Sequence, residues 1–134
     1  MKKLGFGFMR LPVTDGSDPT SFDREQICRM VDTFLAEGFT YFDTAYMYHN
    51  GRSEEMLREA LVRRYPRERF FLADKLPVFF IKQQEDVERF FREQLERTGA
   101  GYFDNYLLHC LDKDNFPIAE KYSSGTRQIR KNGV

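Results

Sequence analysis

Cysteine, histidine and tryptophan are scarce in this sequence. Its 134 residues include two cysteines, two histidines and no tryptophan. Cys28 and Cys110 lie far apart and neither belongs to a CxxC pair, so we expect reduced thiols and no disulfide framework. His49 and His109 stand at no metal-ligand spacing from either cysteine. The sequence therefore predicts no metal site.

The chain also lacks an excess of charge and a long apolar run. Lys plus Arg equal Asp plus Glu at 21 each, so net charge gives no attraction to nucleic acid or to an anionic membrane. The longest apolar run, residues 76–81, contains a proline and is far shorter than the roughly 20 residues that a membrane span needs. Arg10 and Pro12 interrupt the apolar stretch near the start. We therefore expect no export signal and a cytoplasmic protein.

What the sequence does contain is the composition of a folded domain. Hydrophobic residues make up 41% and charged residues 31% of the chain, and 14 Phe and 7 Tyr supply bulky surface for packing. This composition is ordinary for a globular protein, and the length is enough for one modest core. We expect one domain, or part of one.

Short runs rich in β-branched and aromatic residues alternate with stretches of helical periodicity. We predict strands near residues 4–9, 40–43, 69–75 and 102–109, and helices near residues 27–35, 53–64 and 87–95. Ser53 fits the N-cap of the second helix. Another helix could start within residues 112–121, but the polar, glycine-containing segment at residues 123–126 would break it. The order β-α-β-α-β-α-β, with nearly continuous apolar strands, predicts an α/β fold with a parallel sheet.

Three polar residues end successive predicted strands. Asp43, Lys75 and His109 are separated by 32 and 34 residues, which is one βα unit each time. The carboxyl ends of parallel strands meet at one edge of a sheet, and this edge is where α/β proteins bind ligands. The sequence therefore predicts a site at this edge.

The residues around these strand ends resemble the aldo/keto reductase family. Residues 42–51, FDTAYMYHNG, are followed by Ser53-Glu54-Glu55 and match the family signature, in which Asp-Thr-Ala precedes a tyrosine five positions after the aspartate. Residues 73–75 and 105–109 match the segments that carry the family's strand-end lysine and histidine. The resemblance covers about residues 3–112 and is nearest to bacterial members.

The resemblance implies a (β/α)8 TIM barrel, here an incomplete barrel of about four parallel strands with three helices. Residues 1–112 would be the N-terminal half of the barrel, and residues 113–134 a weakly structured or aberrant C-terminal segment. That segment is compatible with a truncation or with a change of reading frame, and the sequence leaves both open. A half barrel exposes unpaired strand edges, so we also expect possible self-association through them.

The same resemblance implies a catalytic tetrad of Asp43, Tyr48, Lys75 and His109. Tyr48 would protonate the carbonyl oxygen, and a nearby ammonium from Lys75 would favour its phenolate form. Asp43 would hold Lys75, and His109 would orient the carbonyl by a hydrogen bond. Each residue alone also fits a structural role, but their joint order favours catalysis. Tyr46 is the rival to Tyr48, and we interpret it as a packing residue because its offset from Asp43 is three.

The cofactor implied by the resemblance is NADP, with the backbone of the first strand's loop close to it. Gly7, Met9, Arg10 and Asp43 are the expected cofactor-binding residues. Phe8 stands where many members have a small hydroxyl residue. The glycines of this segment do not form a GxGxxG fingerprint, which disfavours a Rossmann fold.

The resulting hypothesis is an oxidoreductase that uses NADPH to reduce a small-molecule aldehyde or ketone, in the form of a fragment with low activity alone. One alternative is a non-catalytic binding or assembly protein that retains the aldo/keto reductase fold. A second is a doubly wound α/β binding domain, for which the predicted elements would suffice. The second alternative explains the topology, but it does not explain the four polar residues.

Overall fold

The computed structural model describes residues 3–122, and the strands in this part of the chain form one parallel sheet. The strands follow the chain in the order β1-β2-β3-β4. Their bounds are Gly5–Gly7 (β1), Tyr41–Asp43 (β2), Phe71–Leu76 (β3) and Asn105–Leu108 (β4). The predicted α/β class and the four parallel strands are confirmed. The third strand begins later than expected, because Arg67–Arg69 forms a 3₁₀ turn.

Helices connect the strands at the predicted places. Their bounds are Arg24–Ala36 (α1), Tyr48–Gly51 (α2, a single turn), Ser53–Leu57 (α3) and Gln84–Thr98 (α4). A π-helical segment, Arg58–Val62, continues α3. Residues 116–122 are also helical. The predicted break at residues 123–126 lies outside the described residues.

The starts and ends of the two long helices have clear local causes. The Asp23 carboxylate accepts the Gln26 N–H at 2.9 Å and caps the start of α1. At the start of α4, the side chains of Gln83 and Asp86 each accept the other's backbone N–H in a capping box. Gly99 ends α4 in the left-handed region, with φ at 63°. Glycine adopts this conformation at little cost, which makes it a usual helix terminator.

Ser53 is not the N-cap of the second helical segment, so that prediction is wrong. Arg52 occupies the cap position, and Ser53 is the first residue of α3. The Ser53 hydroxyl is fully buried, donates to the Phe8 carbonyl at 3.0 Å and lies 2.9 Å from the Thr44 hydroxyl. It therefore joins the loops that follow β1 and β2 instead of capping the helix.

The core lies between the sheet and the helices. Phe6, Phe42 and Leu72 occupy matching positions on β1, β2 and β3. They pack with buried side chains of α1 and of the α3 segment, which include Ile27, Val31, Leu35, Leu57 and Leu61. Because side chains alternate along a strand, this packing fixes which residues face away from the helices.

The opposite face of the sheet carries polar residues and exposed apolar ones. Asp43 aligns with Gly7 on one side and Ala73 on the other, and Lys75 aligns with Leu107. Leu107 is 42% exposed. Within residues 3–122, the outer edges of β1 and β4 pair with no further strand. In the same part of the chain, no helix is both long enough and apolar enough to cross a bilayer.

Candidate functional site

The four residues expected to act together meet at the carboxyl edge of the sheet. Asp43 is the last residue of β2, and Lys75 is the last but one of β3. His109 follows β4 directly, and Tyr48 opens the turn α2, five residues after Asp43. Since the strands are parallel, their ends deliver these side chains to one place.

Lys75 is the centre of the group. Its ammonium donates to Asp43 Oδ1 at 2.7 Å, to the Thr44 carbonyl at 2.7 Å and to the Tyr48 hydroxyl at 3.1 Å. The side chains of Lys75 and Asp43 are 13% and 27% exposed, so water screens their ion pair only in part. These contacts place a cation against a phenol and hold it there with a carboxylate.

His109 completes the group from the other side of Tyr48. Its ring meets the Tyr48 ring edge to face, with centroids 5.5 Å apart, and the Phe79 ring lies 5.9 Å away. Burial lowers the pKa of His109, and the nearby charge of Lys75 lowers it further, while Asp43 opposes the shift. His109 Nδ1 is buried and meets no hydrogen-bond partner among the described residues. This environment favours a neutral imidazole beside the phenol.

The turn that presents Tyr48 is held by His49. His49 and Asn50 adopt left-handed backbone conformations, with φ values of 52° and 53°. His49 Nε2 accepts the Leu11 N–H at 3.0 Å, and Nδ1 lies 2.6 Å from the Pro19 carbonyl. Because Nε2 is the acceptor, the ring proton belongs on Nδ1, where it donates to that carbonyl. Both ring nitrogens are thus engaged by backbone groups.

The residues expected to contact a cofactor begin at the same edge. Gly7 pairs with Asp43 in register, and the Phe8 N–H donates to the Asp43 carbonyl at 2.8 Å. The Phe8 side chain is fully buried, while Met9 is 54% exposed and Arg10 is exposed on the loop that follows. A Cβ added to Gly7 would meet no atom within 4 Å. The open space at Gly7 fits a ligand that approaches the backbone beside Asp43.

Below the site lies a buried polar network that sequence reasoning missed. The Gln94 side-chain amide lies 2.9 Å from Glu54 Oε1, 2.8 Å from Asp74 Oδ1 and 3.1 Å from the Lys75 carbonyl. The Tyr106 hydroxyl donates to Gln94 Oε1 at 2.5 Å. Glu54, Asp74 and Gln94 are all fully buried. A signal did exist, since Gln94 lies four residues after Phe90, on the apolar stripe of α4.

The two buried carboxyl groups of this network share an unusual environment. Burial, reinforced by the charge of Glu54, raises the pKa of Asp74 well above its ordinary value. Burial also raises the pKa of Glu54, although Gln94 and Arg97 partly oppose this shift. Asp74 Oδ2 meets no donor among the described residues. Both buried acids therefore favour the protonated form more than an exposed carboxyl group does.

Among residues 3–122, no cluster of three or more histidine, cysteine or acidic side chains is placed to hold a metal ion. The chemical groups that the site does offer are a phenol, an ammonium, a carboxylate and an imidazole, brought together at one edge of the sheet. A phenol and an imidazole can both form hydrogen bonds to an oxygen atom placed between them.

Comparisons with known proteins identify the family and the fold of this chain. The model of the aldo/keto reductase family matches residues 3–129. An aldo-keto reductase of Gibberella moniliformis is 26% identical over 135 aligned residues, which cover 96% of this chain and 39% of the relative.

Solved structures share the fold. The holo form of an aldo-keto reductase from Bacillus halodurans matches with a TM-score of 0.76 and 26% identity, over 98% of this chain and 43% of that one. An aldo-keto reductase from Klebsiella pneumoniae, solved in complex with NADPH, matches with a TM-score of 0.72 and 24% identity, over 96% of this chain and 41% of that one. The chain thus spans less than half the length of these relatives. With a family match along nearly its whole length, it belongs to the aldo/keto reductase family.

Proposed function

We propose that this chain carries the reaction centre of an NADPH-dependent oxidoreductase that reduces an aldehyde or a ketone to an alcohol. The observation that supports this function best is the position of Lys75 Nζ, 2.7 Å from Asp43 Oδ1 and 3.1 Å from the Tyr48 hydroxyl. The resemblance assigns these residue types to carbonyl reduction. Here they meet in one place.

The proposed chemistry assigns one task to each side chain. When hydride adds to the carbonyl carbon, the oxygen gains negative charge and must receive a proton. Tyr48 gives its phenolic proton to that oxygen, and the adjacent Lys75 ammonium stabilises the phenolate that remains. Asp43 holds Lys75 in place. His109 donates a hydrogen bond that orients the carbonyl oxygen before transfer.

Bound NADPH supplies the hydride. Gly7 and Asp43 form the part of the cofactor site that lies beside the tetrad, and Met9 and Arg10 extend it along the exposed loop. The open space at Gly7 supports this assignment, because a ligand can approach the backbone there. The Klebsiella relative, whose structure contains NADPH, supports the choice of cofactor.

We further propose that the chain alone turns over slowly. The alignment covers 39% of the Gibberella relative, and we infer that parts of the complete fold outside this region also bind the cofactor and close the site. Excluding water strengthens electrostatic interactions within an active site, so an open site is a weaker catalyst. We expect detectable but low NADPH oxidation with a panel of aldehydes and ketones.

Two tyrosine variants test the reaction centre. Tyr48→Phe removes the proton donor, so we expect reduction to fall by about two to four orders of magnitude while NADPH binding persists. Tyr46→Phe is the matched control, since the Tyr46 hydroxyl bonds to Glu93 and Arg97 instead of Lys75. Equal activity in the two variants, measured by NADPH absorbance, would refute the assignment of Tyr48.

The free strand edges support a second proposal, which is self-association. Within the described residues, β1 and β4 expose their outer edges, and Leu107 on β4 is 42% exposed. Unpaired edges of this kind tend to pair with another chain. Size-exclusion chromatography should therefore give a mass above that of one chain. A compact species with the mass of one chain at all concentrations would contradict this proposal.

A further inference from the structure

We infer that Gln94 is a positioning residue for the tetrad, holding together the three βα units that supply it. This inference rests on the function proposed above. The Gln94 amide is fully buried beneath the site and bonds to residues from three neighbouring units. None of its contacts involves a group that would touch the substrate.

The first step of the argument concerns the backbone of Lys75. Asp74 Oδ1 accepts the Lys75 N–H at 2.8 Å and also accepts a hydrogen bond from the Gln94 amide. The same amide lies 3.1 Å from the Lys75 carbonyl. The peptide groups on both sides of the Lys75 Cα are therefore held by one network. This fixes the point from which the lysine side chain extends to Asp43 and Tyr48.

The second step concerns the units on either side of Lys75. Glu54 belongs to α3, which begins two residues after the turn that contains Tyr48. Its Oε1 accepts from the Gln94 amide at 2.9 Å. Tyr106 lies on β4, three residues before His109, and bonds to the amide oxygen of Gln94 at 2.5 Å. One side chain thus links the segments that carry Tyr48, Lys75 and His109.

The third step is that stability alone gives little reason for such a network. Two carboxyl groups and an amide are buried together below the sheet edge, with the half-buried Tyr106 phenol bonded to the amide, and burying acids carries a large desolvation penalty. Replacing such groups by apolar side chains of similar volume often leaves the protein as stable or makes it more stable. Directional hydrogen bonds from one amide to three neighbouring units do, however, restrain the relative geometry of those units. Catalysis needs that fixed geometry, because misplacing a reacting group by an ångström can reduce the rate by about a hundredfold.

The test replaces Gln94 by methionine in the full chain. Methionine has a similar length and fills irregular space, so the amide is lost with little change in volume. NMR titration of the His109 imidazole gives a direct readout at the site.

We expect the midpoint of the His109 titration to rise in Gln94→Met. Burial and the charge of Lys75 both lower the pKa of His109. Entry of water would weaken the first cause and movement of Lys75 the second, so either change raises the midpoint. Turnover should fall by about tenfold to a hundredfold, with the KM for NADPH nearly unchanged.

The matched control is Asp104→Ala. Asp104 bonds to Arg67 and to the Leu72 N–H at 2.7 and 2.8 Å, and it joins β3 to β4 at the opposite end of the sheet. A purely structural role predicts that this variant and Gln94→Met lower stability alike and leave the His109 midpoint unchanged. That result would overturn the inference.

Two further outcomes are informative. If Gln94→Met fails to fold, Tyr106→Phe, which removes only one hydroxyl from the network, replaces it, and an unchanged His109 midpoint again overturns the inference. If the unmodified chain oxidises no NADPH but His109 responds to Gln94→Met, the proposed function fails and the positioning role stands. The two proposals can therefore fail separately.

Discussion

Replacing Asp74 by asparagine should change how the stability of the chain depends on pH. Asp74 is fully buried, and burial raises its pKa well above 3.8, the ordinary value for aspartate. Asparagine has nearly the same shape. Its oxygen can accept the Lys75 N–H and the Gln94 amide as Asp74 Oδ1 does, but its amide group does not ionise.

The sign and size of the effect follow from proton linkage. Above pH 3.8 the unfolded chain has released the Asp74 proton, while the folded chain still holds it. Folding then takes up a proton, so the free energy of unfolding falls as the pH rises, until the pH reaches the folded-state pKa. One such proton contributes a slope of about 1.4 kcal/mol per pH unit. Asp74→Asn removes this slope and leaves the contribution of Glu54, which has the same sign.

Urea unfolding at a series of pH values between about 5 and 8 measures this slope. The difference between the two proteins reports on Asp74 together with its effect on Glu54, because His109 is common to both. Asp32→Asn is the control, since the Arg64 hydrogen bond lowers the pKa of Asp32 and both states have released its proton in this range. Parallel curves for Asp74→Asn and the unmodified chain would show that Asp74 is already ionised in the fold, and the reasoning would fail.

Four further predictions concern single residues. A Cβ at Gly5 would lie 3.0 Å from Tyr41 Cδ1, so Gly5→Ala should lower the free energy of unfolding by about 1–3 kcal/mol in urea titrations. Gly7→Ala should change the free energy of unfolding by less than about 1 kcal/mol, because the added Cβ meets no atom within 4 Å. The same variant should weaken NADPH binding, measured by cofactor fluorescence. His49→Ala leaves the Leu11 N–H and the Pro19 carbonyl without their partner. The free energy of unfolding should therefore fall by about 1–3 kcal/mol in the same titrations. The lowered pKa of His109 means that, below pH 6.5, the unfolded chain takes up a proton before the folded one. The free energy of unfolding should therefore fall as the pH drops below 6.5, and it should fall less in the His109→Gln variant.

The fold and the expected site could be predicted because both depend on local order along the chain. Strand and helix periods alternate, and a parallel sheet places successive strand ends together, so the order of Asp43, Lys75 and His109 was enough to place them at one edge. Their contacts confirm that they meet. Their roles in catalysis remain predictions that depend on the family resemblance and on the variants above.

Buried polar contacts could not be predicted in the same way. Ser53 fitted a helix cap by its position, but its hydroxyl bonds to Phe8, 45 residues earlier in the chain. The partners of Gln94 lie 40 residues away at Glu54 and 20 residues away at Asp74. No local pattern specifies such distant partners, because they depend on how the helices pack against the sheet.

The alternation of side chains along β3 explains why Asp74 and Lys75, neighbours in the sequence, belong to different parts of the molecule. Lys75 extends toward Asp43, its ion-pair partner on the next strand, while Asp74 faces the helix layer and Gln94. Lys75 therefore forms its ion pair with Asp43 and not with its neighbour in the sequence, although its charge opposes the rise in the pKa of Asp74. Both neighbours bond to the Gln94 amide, and Asp74 Oδ1 directly accepts the Lys75 N–H. Through that bond a buried acid can fix the backbone of the lysine without competing with Asp43 for its charge.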